Sequence, residues 1–248
     1  MNRCVVVFLL IVSALSFAQS DENGVALNTL STAEKLAGWK LLWDGSTTNG
    51  WRGARLESFP AKGWSMKDGI LIVHESGGAE SANGGDIITE DIYSAFELTL
   101  EFKITPGANS GIKYFVFPKQ PNQKGSAIGF EYQVLDDDRH PDAKLGVNGN
   151  RTVSSLYDLI PAENKSVRPP GEWNFARIVA QKNGDVEHWL NGNKVVEYNR
   201  FSQAFRNLIL HSKYKNYENF GQIPAGHILL QDHGNTVSFR NIKIRELQ

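Results

Sequence analysis

The chain of 248 residues has one cysteine, Cys4, and it lies inside an apolar run close to the start. Disulfides, zinc–thiolate sites and cysteine nucleophiles are therefore excluded from everything downstream of that run. Neither charge sign dominates: 26 Lys and Arg stand against 27 Asp and Glu, interspersed, for a formal net charge of −1. That is not the basic footprint of a nucleic-acid binder, and no nucleic-acid partner is expected. Long hydrophobic runs are also missing. The stretch from Cys4 to Phe17 is shorter than the ~20 apolar residues of a spanning helix, and no later segment approaches that length, so no membrane span is expected.

With Arg3 before it and Ser16-Phe17-Ala18 at its end, the same run has the three zones of a secretory signal, with cleavage near Ala18. The expected organisation is a signal over 1–18, a flexible leader over 19–30 and a single domain over 31–248. The mature protein is expected to be exported, periplasmic or extracellular. Without disulfides, a proper hydrophobic core must hold it together.

What is present is strand pattern and turn chemistry. Ser31-Thr32-Ala33-Glu34 has capping-box spacing and Gly38 supplies a stop, so one short helix is predicted over Thr32–Ala37. Trp39–Gly45 reads as a strand ending in a turn. Trp51 follows in a Gly-rich loop, where a packing plug is favoured over a sugar platform. Asp68-Gly69 between two apolar runs signals a hairpin. Phe96, Leu98, Leu100, Phe102 and Ile104 alternate with polar residues, and the turn at 106–111 leads into a second strand, Ile112–Phe117. Asn183-Gly184 and Asn191-Gly192 set three strands between Trp173 and Tyr198 into a meander, and the chain closes with strands over 226–230 and 237–244. Many short strands with almost no helix imply a sandwich of two antiparallel sheets.

Ser126–His140 stands out within this pattern. Phe130, Tyr132 and Val134 fall on one face of a strand and Glu131 and Gln133 on the other, with Asp136, Asp137, Asp138, His140 and Asp142 at or beyond its end. A mid-strand acid is costly unless it faces a groove or finds a partner, although a solvated sheet face would also satisfy it. Gln133 could offer hydrogen bonds to sugar hydroxyls. Lys113, on the preceding strand, could stabilise an anion or pair with Glu131. The acidic run could hold a hard cation such as calcium, but it lacks the glycine and closing glutamate of an EF-hand loop, and a solvated turn is the commoner outcome. No metal and no organic cofactor is expected.

Several blocks taken in order resemble the 3-keto-disaccharide hydrolase family. They are Gly38–Gly45 with Gly50-Trp51, Asn109–Ile112, Glu131–Asp136, Gly171–Asn174, Trp189–Gly192, and Leu230–Gly234 with Phe239–Ile242, and together they run from about Gly38 to Leu247. The resemblance implies an all-β, concanavalin-like jelly roll whose sheet lines a carbohydrate groove. It also implies cleavage of glycosides already oxidised to a ketone at carbon 3. Such a ketone acidifies the neighbouring C2–H, so a general base can form an enolate and expel the glycosidic oxygen, after which water adds back.

His188 has Val186 and Leu190 on its own face, so periodicity alone favours a core or sheet histidine. The resemblance raises it to the leading base, with Glu131 and Lys113 as catalytic partners. Gln133, Asn109, Asp136, Gln231 and His233 are the expected substrate-binding residues. A non-catalytic carbohydrate-binding module is the alternative reading. An endo-glucanase of the same fold is disfavoured because Gln133 and Leu135 follow Glu131 where a Glu-x-Asp-x-Glu pattern would be needed.

Overall fold

The structure, a computed structural model, describes residues 20, 24, 26–118, 126–217 and 219–248. The predicted signal segment lies outside the described residues, as do residues 19, 21–23 and 25 of the predicted leader. In chain order the elements are α1 (Thr32–Leu36), β1 (Lys40–Leu41), β2 (Trp51–Gly53), β3 (Trp64–Lys67), β4 (Ile70–Val73), β5 (Ile87–Thr89), β6 (Phe96–Ile104), β7 (Asn109–Val116) and β8 (Phe130–Leu135). They continue with β9 (Asn174–Ala180), β10 (Asp185–Leu190), β11 (Asn193–Asn199), α2 (Gln203–Leu210), β12 (His227–Leu230) and β13 (Val237–Glu246).

Two antiparallel sheets form a jelly-roll sandwich. The larger runs β11-β10-β9-β6-β13-β4-β3, with β1 added to β13, and the smaller runs β2-β5-β12-β7-β8. The turns predicted from sequence set this register. Asp68 and Gly69 both take positive φ (51° and 68°) between β3 and β4, as do Asn191 and Gly192 (49° and 87°) between β10 and β11. This is the twist that two-residue hairpins require, and Asp, Asn and Gly adopt it at least cost. The β9–β10–β11 meander follows the predicted pattern, and β6 is followed by a strand as predicted, although β7 lies in the other sheet, starts at Asn109 inside the predicted turn and ends at Val116. The predicted helix is present as well. Ser31 Oγ accepts from Glu34 N–H, the Glu34 carboxylate accepts from Ser31 N–H, and Lys243 on β13 pins Glu34 at 2.6 Å.

The inner faces of the two sheets bury Phe96, Leu98, Leu100 and Phe102 against Tyr114, Phe130, Tyr132 and Val134. Trp51 is a plug rather than a platform: it is 2% exposed, and its indole N–H donates to the Leu42 carbonyl at 2.6 Å. Strands β7 and β8 depart from simple alternation, since every residue on both is buried. One face of this pair packs into the core, and the other is roofed by later parts of the chain.

Candidate functional site

The roof is made of two segments. The first, residues 139–160, fastens itself to the edge strand β8 through backbone hydrogen bonds: Ser154 N–H donates to the Gln133 carbonyl (2.8 Å), Gln133 N–H to Ser155 (3.2 Å), and Tyr157 N–H to Glu131 (3.0 Å). The second is the short 3-10 turn 213–216 that follows α2. It is anchored from the first, because Asp158 accepts from Lys213 N–H at 2.9 Å while Arg151 pairs with Asp158 at 2.7 Å and with Asp142 at 3.0 Å. Between roof and sheet lies a cleft of about 220 Å³.

Six of the predicted site residues share this cleft: Asn109, Lys113, Glu131, Gln133, Gln231 and His233. At its floor the Lys113 ammonium lies 3.6 Å from the Glu131 carboxylate, with both side chains nearly sealed from solvent. Lys113 also donates to Ser126 Oγ (2.5 Å) and to the Ala127 carbonyl (3.3 Å). Ser126 in turn donates to Asp86, whose carboxylate also receives the Asp232 and Ala127 N–H groups. Burial pushes the Asp86 carboxyl above the usual range, although Lys113 and these hydrogen bonds oppose it. Gly111 leaves room for the Glu131 side chain, because a Cβ there would stand 2.4 Å from Glu131 Oε1.

Two predicted residues lie elsewhere. His188 is fully buried between the sheets, with Tyr114 Oη 2.7 Å from Nε2 and the Ser154 carbonyl 2.9 Å from Nδ1. Since a carbonyl only accepts, Nδ1 carries the hydrogen and Nε2 accepts from Tyr114. Neither nitrogen is open to the cleft, so the role of base expected for His188 is withdrawn. Its face is the one that Val186 and Leu190 define, as periodicity alone indicated. Asp136 is the second correction. The chain turns away after Leu135, and Asp136 accepts from the N–H groups of Gly107 (2.7 Å) and Asp138 (3.2 Å) and pairs with Arg139 (3.1 Å). These partners outweigh its burial and hold the carboxyl below its ordinary range. The other acids of that run part company too: Asp137 binds Val153 N–H and Lys165, and Asp142 binds Arg151 and Tyr157. Among the described residues, no three His, Cys, Asp or Glu side chains converge as ligands for a metal ion.

His188 carries a testable consequence for stability. Burial lowers its pKa from 6.5 to about 4, partly offset by the Ser154 carbonyl. Above pH ~6.5 the ring is neutral in both folded and unfolded chains. Between that pH and the folded value only the unfolded chain takes up the proton, so stability falls as pH drops through the window, by on the order of 3 kcal/mol in total. His188→Gln should flatten this slope relative to wild type when urea midpoints are compared at about pH 5 and about pH 7. An unchanged slope would remove His188 as its source.

The cleft also holds residues that strand patterning did not single out: Glu80, Ser126, Tyr157, Lys213, Tyr214 and Tyr217. Tyr157 donates to Asp142 at 2.8 Å, and burial together with that acid and Glu131 raises its pKa. The Lys213 ammonium rests 4.1 Å from the centre of the Tyr157 ring. Crowding by protein holds its pKa below the ordinary lysine value, reinforced by Lys113 and opposed by Glu131, although the side chain stays open to solvent. The only signal for Lys213 in the sequence was Ser212, which caps the 3-10 turn by accepting from Tyr214 N–H at 3.1 Å.

Fold and site together define a jelly-roll sandwich with a polar, charge-bearing cleft on the outward face of its smaller sheet. The chain belongs to the 3-keto-alpha-glucoside-1,2-lyase-like domain family, which it matches over residues 38–245. A 3-keto-disaccharide hydrolase of Bacteroides thetaiotaomicron is 37% identical to it over 254 residues, covering 94% of this chain and 87% of the relative. A crystal structure of a candidate glycosyl hydrolase from Parabacteroides distasonis superposes with a TM-score of 0.79 at 32% identity, covering 90% of this chain and all (100%) of that one. A second candidate glycosyl hydrolase from the same organism superposes at 0.61 with 29% identity, covering 84% of this chain and 99% of the other.

Proposed function

We propose that this chain is a glycoside-cleaving enzyme whose substrates are sugars carrying a ketone at carbon 3, and that it works by elimination followed by hydration. The observation that carries this reading is the Glu131–Lys113 pair, 3.6 Å apart on the floor of the cleft, in a member of this family. The ionised Glu131 takes the proton from C2. The electron pair of that bond moves onto the C3 oxygen as an enolate, which the Lys113 ammonium stabilises. The enolate then re-forms the ketone, the C1–O bond breaks, and the departing oxygen takes a proton from Lys213, whose lowered pKa makes it a better donor than an ordinary lysine. Water adds back: its hydroxyl goes to C1, its remaining proton restores Lys213, and the Glu131 carboxyl, its proton exchanged with solvent as the leaving group departs, gives a proton to C2. The net result is hydrolysis, which reconciles the lyase-like family description with the hydrolase name of the Bacteroides relative.

The decisive experiment offers purified protein a 3-keto-disaccharide and the unoxidised parent sugar and follows release of free monosaccharide. Release from the keto sugar alone is expected. Saturable binding of both without turnover would replace the enzyme by a binding module. Gly111→Ala supplies a narrower check. Its methyl group would push the Glu131 carboxylate off its position, so kcat should fall about tenfold or more while the melting temperature changes little, because the displaced atoms are the far end of one side chain. An unchanged kcat would mean that the position of Glu131 is immaterial.

The apolar run at the start of the chain, with Arg3 before it and Ala18 after it, supports export as part of the same proposal. Sequencing the N-terminus of protein recovered from outside the cytoplasm should find a start near residue 19, and a retained Met1 would refute it.

A further inference from the structure

Three buried polar atoms of the cleft residues have no hydrogen-bond partner among the described residues: Oε1 of Gln133, Oε1 of Gln231 and Nδ1 of His233. The surrounding network fixes what each can do. Gln231 Nε2 donates to the Glu80 carboxylate at 3.0 Å, so the unpaired end of that amide is its acceptor. Gln133 Nε2 approaches Asn109 Oδ1 at 3.4 Å, which leaves Asn109 Nδ2 to donate to His233 Nε2 at 3.3 Å. A neutral imidazole that accepts at Nε2 carries its hydrogen on Nδ1. The cleft therefore presents two free acceptors and one free donor, all buried. Native proteins seldom leave such atoms unpaired, because an unmade buried hydrogen bond is costly.

We infer that Gln133, Gln231 and His233 read the hydroxyl groups of the bound sugar: two hydroxyls donate to the glutamine oxygens, and one of these also accepts from His233 Nδ1–H. The inference rests on the carbohydrate reading of the cleft and adds an orientation to it. A hydroxyl donates and accepts at once, whereas a ketone oxygen only accepts. The oxidised carbon therefore has no place against the two glutamines and is directed to the Lys113 side. Asn109 acts as a positioning residue, because its amide sets the His233 tautomer and holds the Gln133 side chain.

Fluorine in place of a hydroxyl keeps the size but removes the donor. Methyl 3-keto-α-glucoside serves as substrate and methyl α-glucoside as unreactive probe, each tested beside its 4-deoxy-4-fluoro and 6-deoxy-6-fluoro derivatives. In the wild-type protein at least one fluoro derivative of each sugar should bind, or show a KM, about ten- to a hundredfold worse than its parent. Gln133→Leu and Gln231→Leu should each lose discrimination at the hydroxyl it reads, with kcat less affected than KM. Fluoro derivatives that behave like their parents, or glutamine variants that discriminate like wild type, overturn the inference, as does failure of all these sugars to bind. The two ideas fail separately. Turnover indifferent to fluorine sinks the hydroxyl reading and spares the reaction, while fluorine-sensitive binding without turnover sinks the reaction alone.

Discussion

Glu131→Gln is expected to lower kcat by ~10²- to 10⁴-fold, the usual contribution of a positioned general base, with little change in KM. Gln keeps the length and shape of the side chain, so the cleft should persist while the proton acceptor is lost. Glu131 is the cleft acid beside Lys113, sealed from water on the floor, whereas Glu80 is exposed and Asp142 is engaged by Arg151 and Tyr157. Activity within a few-fold of wild type would transfer the role of base to another group. Solvent deuterium entering at C2 of the product, seen by NMR with wild type and suppressed with the variant, would identify the step affected.

Lys113→Met should have the largest effect on stability. Lys113 and Glu131 are about 5% and 6% exposed, and Asp86 is linked to the same ammonium through Ser126. Removing one partner of a buried pair strands the other charge and typically costs ~3–5 kcal/mol, even where the pair itself adds little net stability. Lys113→Met with Glu131→Gln should therefore recover much of that loss, since the double variant no longer buries an unpaired Glu131 carboxylate. Urea denaturation of the four proteins tests this. If the single effects add to within ~0.5 kcal/mol, the two side chains are not coupled. Catalysis should suffer in both Lys113 variants regardless of stability.

The sandwich was legible because its evidence is local. Alternation in β6, the Asn-Gly and Asp-Gly turns and the Ser31–Glu34 cap are short-range signals that tertiary packing had no reason to overrule. The two-sided reading of β8 also held, with Phe130, Tyr132 and Val134 inward and Glu131 and Gln133 toward the cleft. What the sequence hid was whatever depends on the roof. β2 and β5 are three-residue strands without an alternating signature, and α2 is a short helix announced by little more than Ser202, whose side chain accepts from Phe205 N–H. Lys213 and Tyr157 reach the cleft only because Arg151 and Asp158 fold two distant segments over the sheet, a relation between positions that periodicity does not encode. His188 shows the opposite hazard, since the plain reading of its strand face was correct and a role borrowed from resemblance was not.

An edge strand left bare is an invitation to pair with another chain, and β8 is the last strand of its sheet. Residues 154–157 answer that hazard by occupying its carbonyls and N–H groups, and the same bonds hold the backbone of Glu131 and Gln133. Protection from misassembly and readiness for chemistry are thus properties of one latch. Any fluctuation that unfastens it disarms the enzyme at the moment it bares an adhesive edge, so for this protein loss of activity and the onset of aggregation should share a single local opening event.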